Sequence, residues 1–400
     1  MKKSICYLTD FSSIYATVQT HKYLITKLSH NFDNVYFIDS SNFKLNFFKK
    51  IRSRKVLKNK IFKILNFKNK NLKFLNIKSS KNFKTFFESS KSIIINNFGK
   101  TFSYFYLHYL VIKNNIPQVQ ILNIDIVSFQ RRFENKFFYK KIFYFFQRTL
   151  PSKLITFLSI IKILPKIDLC FTTNLTTINK INSYNFFGEN FRYIKSCVPI
   201  NSLAYDESLN FKISNNYILY IDTNVNHPDS LLSRGKLAHK KILFHYNLVI
   251  KFLRRIQNIY QKKIIVAIHP LYSIKETKKN LPGFTIKKYK TIELIKKSHL
   301  VIFFNSTVIH YAFAMNKKII GLYSPVLGED FRAQSTLYPA RAGIPLFDIS
   351  KDFLLSKNQL NRILLYKNNK KLKFFKSRFL RKEYGDSTDK IIKIIKERYY

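Results

Sequence analysis

In the second half of the chain, apolar residues gather into short unbroken runs, each closed by a small polar turn. Ile264-Ile265-Val266-Ala267-Ile268 ends in His269-Pro270, and Leu300-Val301-Ile302-Phe303-Phe304 ends in Asn305-Ser306-Thr307. Lys318-Ile319-Ile320-Gly321-Leu322-Tyr323 ends in Ser324-Pro325. Such runs suit strands covered on both faces, as in a parallel sheet. Between them the apolar spacing turns helical, over residues 291–298 and 308–315. Upstream, Tyr217-Ile218-Leu219-Tyr220-Ile221 reads as a strand delivering Asp222, and residues 243–260 as a long helix. Alternation of strand and helix predicts a doubly wound α/β sheet. Ligands of such sheets bind beyond the carboxyl ends of the strands.

The first half opens with a similar alternation. Strands are expected over residues 4–8 and 35–39, with a helix over 24–28 between them, as at the start of a second Rossmann-like unit. Residues 43–81 are rich in Lys, Asn and Phe, with helical spacing over 51–65. Helices are expected over 101–112, 136–146 and 154–164, and strands over 119–124, delivering Asp125, and 168–171. Polar residues cluster over 199–216, which sets the expected domains at 1–205 and 206–400. In the second, residues 328–343 read as a loop and 374–400 as a basic helical tail.

Composition narrows the class. A chain of 400 residues with a hydrophobic fraction of 46% can build two cores. Its 8 glycines include no dinucleotide fingerprint and no P-loop. Three cysteines, Cys6, Cys170 and Cys197, form no CxxC pair and read as buried thiols. The N-terminus lacks the apolar stretch of a signal peptide, and no apolar run reaches the ~18 residues that span a bilayer. A cytoplasmic protein is expected. The net charge of +49, from 71 basic and 22 acidic residues, calls for an anionic surface. Anionic lipid meets that need, so the expected location is peripheral to the inner membrane. Nucleic acid would also meet it. However, the charge is spread along the whole chain without an RNA- or DNA-binding motif, so no nucleic-acid partner is expected.

The polar residues at the strand ends suit phosphate. Ser306 and Thr307 stand where a helix begins, with hydroxyls and free N–H groups to offer an anion. His269 can donate a hydrogen bond or a proton to a departing phosphate oxygen. Either residue alone reads equally well as a cap or a loop residue. Together with Pro270, Asn305 and Ser324 at neighbouring strand ends, they point to one phosphate-bearing ligand. There is no D-x-D pair, so no metal is expected, and no cofactor.

His269-Pro270 after one buried strand, and Ser306-Thr307 after the next, resemble the donor half of bacterial sialyltransferases and related glycosyltransferases that use CMP-activated sugars. Lys290-Thr291-Ile292-Glu293-Leu294-Ile295 and Asn305-Ser306-Thr307 also resemble segments of a group of bacterial surface-polysaccharide proteins, as do "LAYDESL" (203–209) and "YIDTNVNHPDS" (220–230). The resemblance covers roughly residues 200–325. It implies the GT-B architecture, two Rossmann-like domains facing a cleft, with the acceptor side in the first domain and the donor in the second. It further implies inverting, metal-independent transfer of a sialic- or nonulosonic-acid-type sugar from a CMP-sugar to a glycan or glycolipid acceptor of lipopolysaccharide or capsule. His269, Pro270, Asn305, Ser306, Thr307 and Ser324 would then contact the donor. The family's base is a carboxylate in an acidic-acidic-Gly element of the other domain. This chain has only Asp125, without the Gly, and Asp222 is its rival; Asp10 and Asp39 also end strands. A Kdo-type or polyol-phosphate transferase on the same scaffold is the alternative enzyme, and a basic nucleic-acid-binding protein the alternative from another class.

Overall fold

A computed structural model describes residues 3–9, 18, 20–39, 71–75, 77, 79–96, 105–122, 142, 146, 150, 154, 157, 167–173, 194–209, 214–223, 225, 237–269, 272–351, 354–365, 369–380 and 385–400. They form two compact units, residues 1–125, 143–206 and 381–400 in the first, and 126–142 and 207–380 in the second.

The first unit is built on β1 (Lys3–Thr9), α1 (Lys22–Asn31), β2 (Asn34–Asp39), β3 (Leu72–Leu75), α2 (Ser80–Ser89), β4 (Lys91–Asn96), α3 (Phe105–Lys113), β5 (Gln118–Leu122), β6 (Leu169–Thr172) and β7 (Cys197–Pro199). The strands form one sheet in the order β3-β2-β1-β4-β5-β6-β7. Every pairing in it is parallel. Phe83 and Phe87 of α2, one turn apart, meet Leu107, Leu110 and Val111 of α3 in a core against Cys6, Leu8 and Ile94. That is the amphipathic stripe of a helix laid on a sheet. Cys6 and Cys170 are buried and Cys197 half-buried, all as free thiols.

After α4 (Leu203–Leu209) the second unit follows: β8 (Tyr217–Asp222), α5 (His239–Tyr260), β9 (Ile264–Ile268), α6 (Ile274–Asn280), β10 (Thr285–Lys288), α7 (Thr291–Lys297), β11 (Ser298–Phe303), α8 (Ile309–Ala314), β12 (Lys318–Tyr323), α9 (Gly328–Ala342), β13 (Leu346–Asp348), α10 (Lys357–Ile363) and α11 (Lys370–Phe379). Its sheet, also parallel, runs β10-β9-β8-β11-β12-β13. All five residues of β9 and all six of β8 are buried. Ile242, Tyr246, Val249, Leu253, Ile256 and Tyr260 of α5 repeat at helical spacing and pack on Ile218, Tyr220, Val266 and Ile302. Both sheets are thus Rossmann-like, and the fold is of the GT-B class, as the sequence implied.

Two segments depart from the sequence reading. Residues 328–343, expected to be a loop, are the helix α9, with Pro339 inside it and Gly343 ending it at φ 66°. Its inward positions Phe331, Ser335, Tyr338 and Ala342 are buried, and a Cβ on Gly321 of β12 would come within 2.9 Å of Pro339. The missing side chain at Gly321 is what lets α9 lie this close to the strand. The expected helical tail is two helices. The second, α12 (Ser387–Tyr399), belongs to the first unit and not to the second domain. Its N-terminus is held by the buried Asp206 carboxylate, which accepts from Thr388 N at 3.1 Å and Thr388 Oγ1 at 3.2 Å. Tyr23 Oη and Lys27 Nζ both donate to Asp386, and Tyr400 Oη donates to the Ser4 carbonyl. An anchored helix start and a shared core explain why a basic tail leaves the neighbouring sequence to complete the first unit.

Candidate functional site

In the second unit the chain runs from β8 outward through β9 to β10, then returns to the other side of β8 with β11. The switch point therefore lies between β8 and β11, where neighbouring connections leave in opposite directions and open a crevice. Asp222 pairs with Ile268, and Ile221 with Phe303, so β8 stands between the ends that carry His269 and Asn305. Two strand spacings put those ends about 10 Å apart.

His269 leaves β9 exposed. Its ring lies 5.5 Å from that of Tyr272, whose N–H donates to the His269 carbonyl at 3.0 Å. Lys288 Nζ donates to the Tyr272 carbonyl at 2.6 Å and fixes the far side of this turn. Pro270 and Asp125 lie outside the described residues, as do Asp10 and the side chain of Asp39.

At the end of β11, Phe304 is 1% exposed and wedged among Tyr220, His245 and Phe331. It anchors the segment that follows. Asn305 is tied on three sides: its N–H donates to Thr223 Oγ1 at 3.4 Å, its carbonyl accepts from the same hydroxyl, and its side-chain amide donates to Gln334 of α9. Asn305 thus clamps β8, β11 and α9 together. Ser306 is partly exposed and Thr307 exposed, and neither hydroxyl bonds to any described residue. The backbone N–H groups of Ser306, Thr307 and Val308 likewise donate to no described residue, while the Ser306 and Thr307 carbonyls accept from Ile309 and His310 at 3.3 Å. The helix beyond is only six residues long, so its dipole adds little, and the attraction for an anion comes from these local donors.

Two expected ligands are turned inward. Ser324 is fully buried, its hydroxyl 3.0 Å from His245 Nδ1 on α5. It links β12 to α5 and presents nothing to a ligand in this conformation. Asp222 is 4% exposed, with Tyr220 Oη donating to it at 3.2 Å and Tyr246 also bonded to it. Burial raises its carboxyl to about 7, against the smaller opposing effect of the two tyrosines. That value would suit a general base. The side chain, however, faces Tyr246 of α5 and not the solvent at the strand ends. Sequence reasoning missed Thr223 and Gln334, which hold Asn305. Thr223 was legible as the hydroxyl following a strand end, whereas Gln334 sat in a stretch read as loop. Among the described residues no three His, Cys, Asp or Glu side chains gather as a metal site would require.

No protein family matches the sequence, and no curated protein does. Solved structures do match across the whole chain. A UDP-GlcNAc 2-epimerase from Methanocaldococcus jannaschii is 14% identical with a TM-score of 0.50, covering 99% of this chain and 100% of the other. S. aureus MnaA, solved with UDP, is 14% identical with a TM-score of 0.50, covering 99% of this chain and 96% of the other. The wall teichoic acid polymerase TagF is 13% identical with a TM-score of 0.51, covering 100% of this chain and 89% of the other. At such identities the likeness is one of fold, and it agrees with the two Rossmann-like sheets.

Proposed function

We propose that the chain is a glycosyltransferase of surface-polysaccharide synthesis, moving a sugar from a nucleotide donor bound at the strand ends of the second unit to a glycan or glycolipid acceptor. One observation carries the reading. The Ser306 and Thr307 hydroxyls and the three N–H groups beside them have no described partner, and they stand at the switch point, two strand spacings from exposed His269. Such a set of donors suits the phosphate of a nucleotide sugar. As the bond from sugar to phosphate breaks, charge grows on the departing oxygen. Ser306 and Thr307 hydrogen-bond that charge, and His269 donates a hydrogen bond or its proton to it. With Asp222 enclosed, Asp125 is the candidate base for the acceptor hydroxyl, and Asp125→Asn is expected to abolish turnover while donor binding persists.

The motifs favour a CMP-sugar of sialic-acid type, whereas the epimerase and MnaA structures are associated with UDP-GlcNAc and UDP. A panel of both donor types separates them by thermal unfolding. A true donor at a hundred times its dissociation constant stabilises the native state by about 2.7 kcal/mol. Transfer is expected to survive chelation, since the donors at hand are His, Ser, Thr and N–H groups. Loss of transfer with EDTA, restored by Mg²⁺ or Mn²⁺, would refute the metal-free mechanism. Epimerisation of the donor in the absence of any acceptor would refute the transfer reading itself.

A further inference from the structure

On the surface formed by α9 and α11, Ala340, Arg341, Lys370, Lys371, Phe374 and Arg378 border a cavity of ≈ 490 Å³ floored by Phe375 and Phe379. The helix α11 has two faces. Leu372, Phe375 and Phe379 are buried, with Phe375 packed on His310, Phe313 and Tyr338. The adjoining stripe carries Lys370, Lys371, Phe374 and Arg378, spaced to lie along one side. Phe374 is 61% exposed. The Arg378 guanidinium sits 5.8 Å from its ring and 5.7 Å from that of Phe379. None of the four cations of the groove pairs with an acidic group among the described residues. Burial, and then the charge of Arg378, depress the pKa of Arg341. Two guanidiniums therefore face one another beside an apolar floor, with no carboxylate among the described residues to relieve them.

We propose that this groove docks the second unit onto an anionic phospholipid bilayer, the cations meeting lipid phosphates and Phe374 entering the boundary below them. Charge complementarity points to this occupant. Among the described residues the lining combines four cations with three aromatic rings and contains no Asn, Gln, Ser or Thr to read a base edge or a sugar hydroxyl. A bilayer surface presents both negative charge and an apolar layer, and aromatic and basic side chains together are what settle there. The chain leading into α11 adds exposed apolar groups, Leu354 at 78% and Leu365 at 70%. No helix among the described residues is long and apolar enough to cross a membrane. The groove shares no residue with His269, Ser306 or Thr307, so this proposal stands or falls separately from the donor reading.

The test is sedimentation of the full chain with phosphatidylcholine vesicles, with and without phosphatidylglycerol. Each basic residue beside an anionic surface contributes about fivefold in binding. The variant Lys371→Glu/Arg378→Glu is expected to bind anionic vesicles at least about twentyfold more weakly. The control Arg254→Glu/Arg255→Glu, with the same change of net charge on α5, is expected to lose much less. Phe374→Ser is expected to weaken binding most at high salt, where charge is screened and burial remains. Lys371, Phe374, Arg254 and Arg255 are exposed and Arg378 is only half-buried, so thermal midpoints should stay near that of the wild type. Equal losses in the groove variant and the control would overturn the proposal, as would unchanged vesicle binding in both groove variants. It would also be overturned if the groove variants lost single-stranded RNA or inorganic phosphate while still sedimenting with vesicles.

Discussion

Replacing His269 by alanine is expected to cut kcat/KM for sugar transfer by about ten- to a hundredfold, through loss of one hydrogen bond to a charged phosphate. The thermal midpoint should hardly move, because the ring is exposed and its turn is fixed by Tyr272 and Lys288 through main-chain atoms. Ser306→Ala should lose less, since Thr307 and three N–H groups remain to hold the anion. If His269 also gives up a proton, its loss falls on the chemical step and lowers kcat more than it raises KM. Steady-state kinetics of both variants with one donor decide the matter. Wild-type activity in His269→Ala would remove the histidine from the site.

The second large effect concerns stability against pH. Asp222 is buried and its carboxyl is raised from an ordinary 3.8 to about 7 in the folded protein. The native state therefore holds this proton more tightly than the unfolded chain does. The stability it contributes is complete below the unfolded value near 4 and is lost as pH climbs through 7. By pH 8 the enclosed carboxylate costs up to about 4 kcal/mol relative to acid conditions. In Asp222→Asn the amide oxygen still accepts from Tyr220, and no charge forms. Thermal unfolding from pH 5 to 8 should show the variant gaining on the wild type as pH rises. Asp206, raised to about 7 as well, gives both proteins the same downward trend, so the difference between them isolates Asp222. Parallel curves would show that Asp222 does not titrate in this range.

The second unit's strands were legible because both faces of the sheet are covered, which writes each strand as an unbroken apolar run. Residues 264–268, 300–303 and 318–323 fold as that pattern requires. The sequence reading missed edge strands. β10 alternates, with Ile286 buried and Thr285 and Lys287 exposed, and four residues of period two carry little signal. It also passed over β3, which lies in Lys- and Phe-rich sequence, and β4, whose isoleucines are plain in retrospect. α9 was misread because Pro339 and two flanking glycines look like loop punctuation, whereas the inward residues recur at helical spacing. Within the site, strand ends were readable but side-chain direction was not. Ser324 and Asp222 share the strand-end placement of Ser306, yet they face α5. A one-residue step along a strand reverses the face, and the runs of β8 and β12 are apolar on both.

The return of α12 to the first unit makes that unit discontinuous in sequence, with residues 207–380 of the second inserted before its last helix. A cut at residue 206 would therefore strand Asp206, Tyr23 and Lys27 without the helix they hold, and leave that helix appended to a sheet it does not complete. Exchanging the second unit with that of a relative is accordingly a double insertion, with junctions near 125 and 142 and near 206 and 380, and never an end-to-end fusion. The four junctions must be matched together. A lineage that varies the second unit by recombination would be held to the same four crossover points.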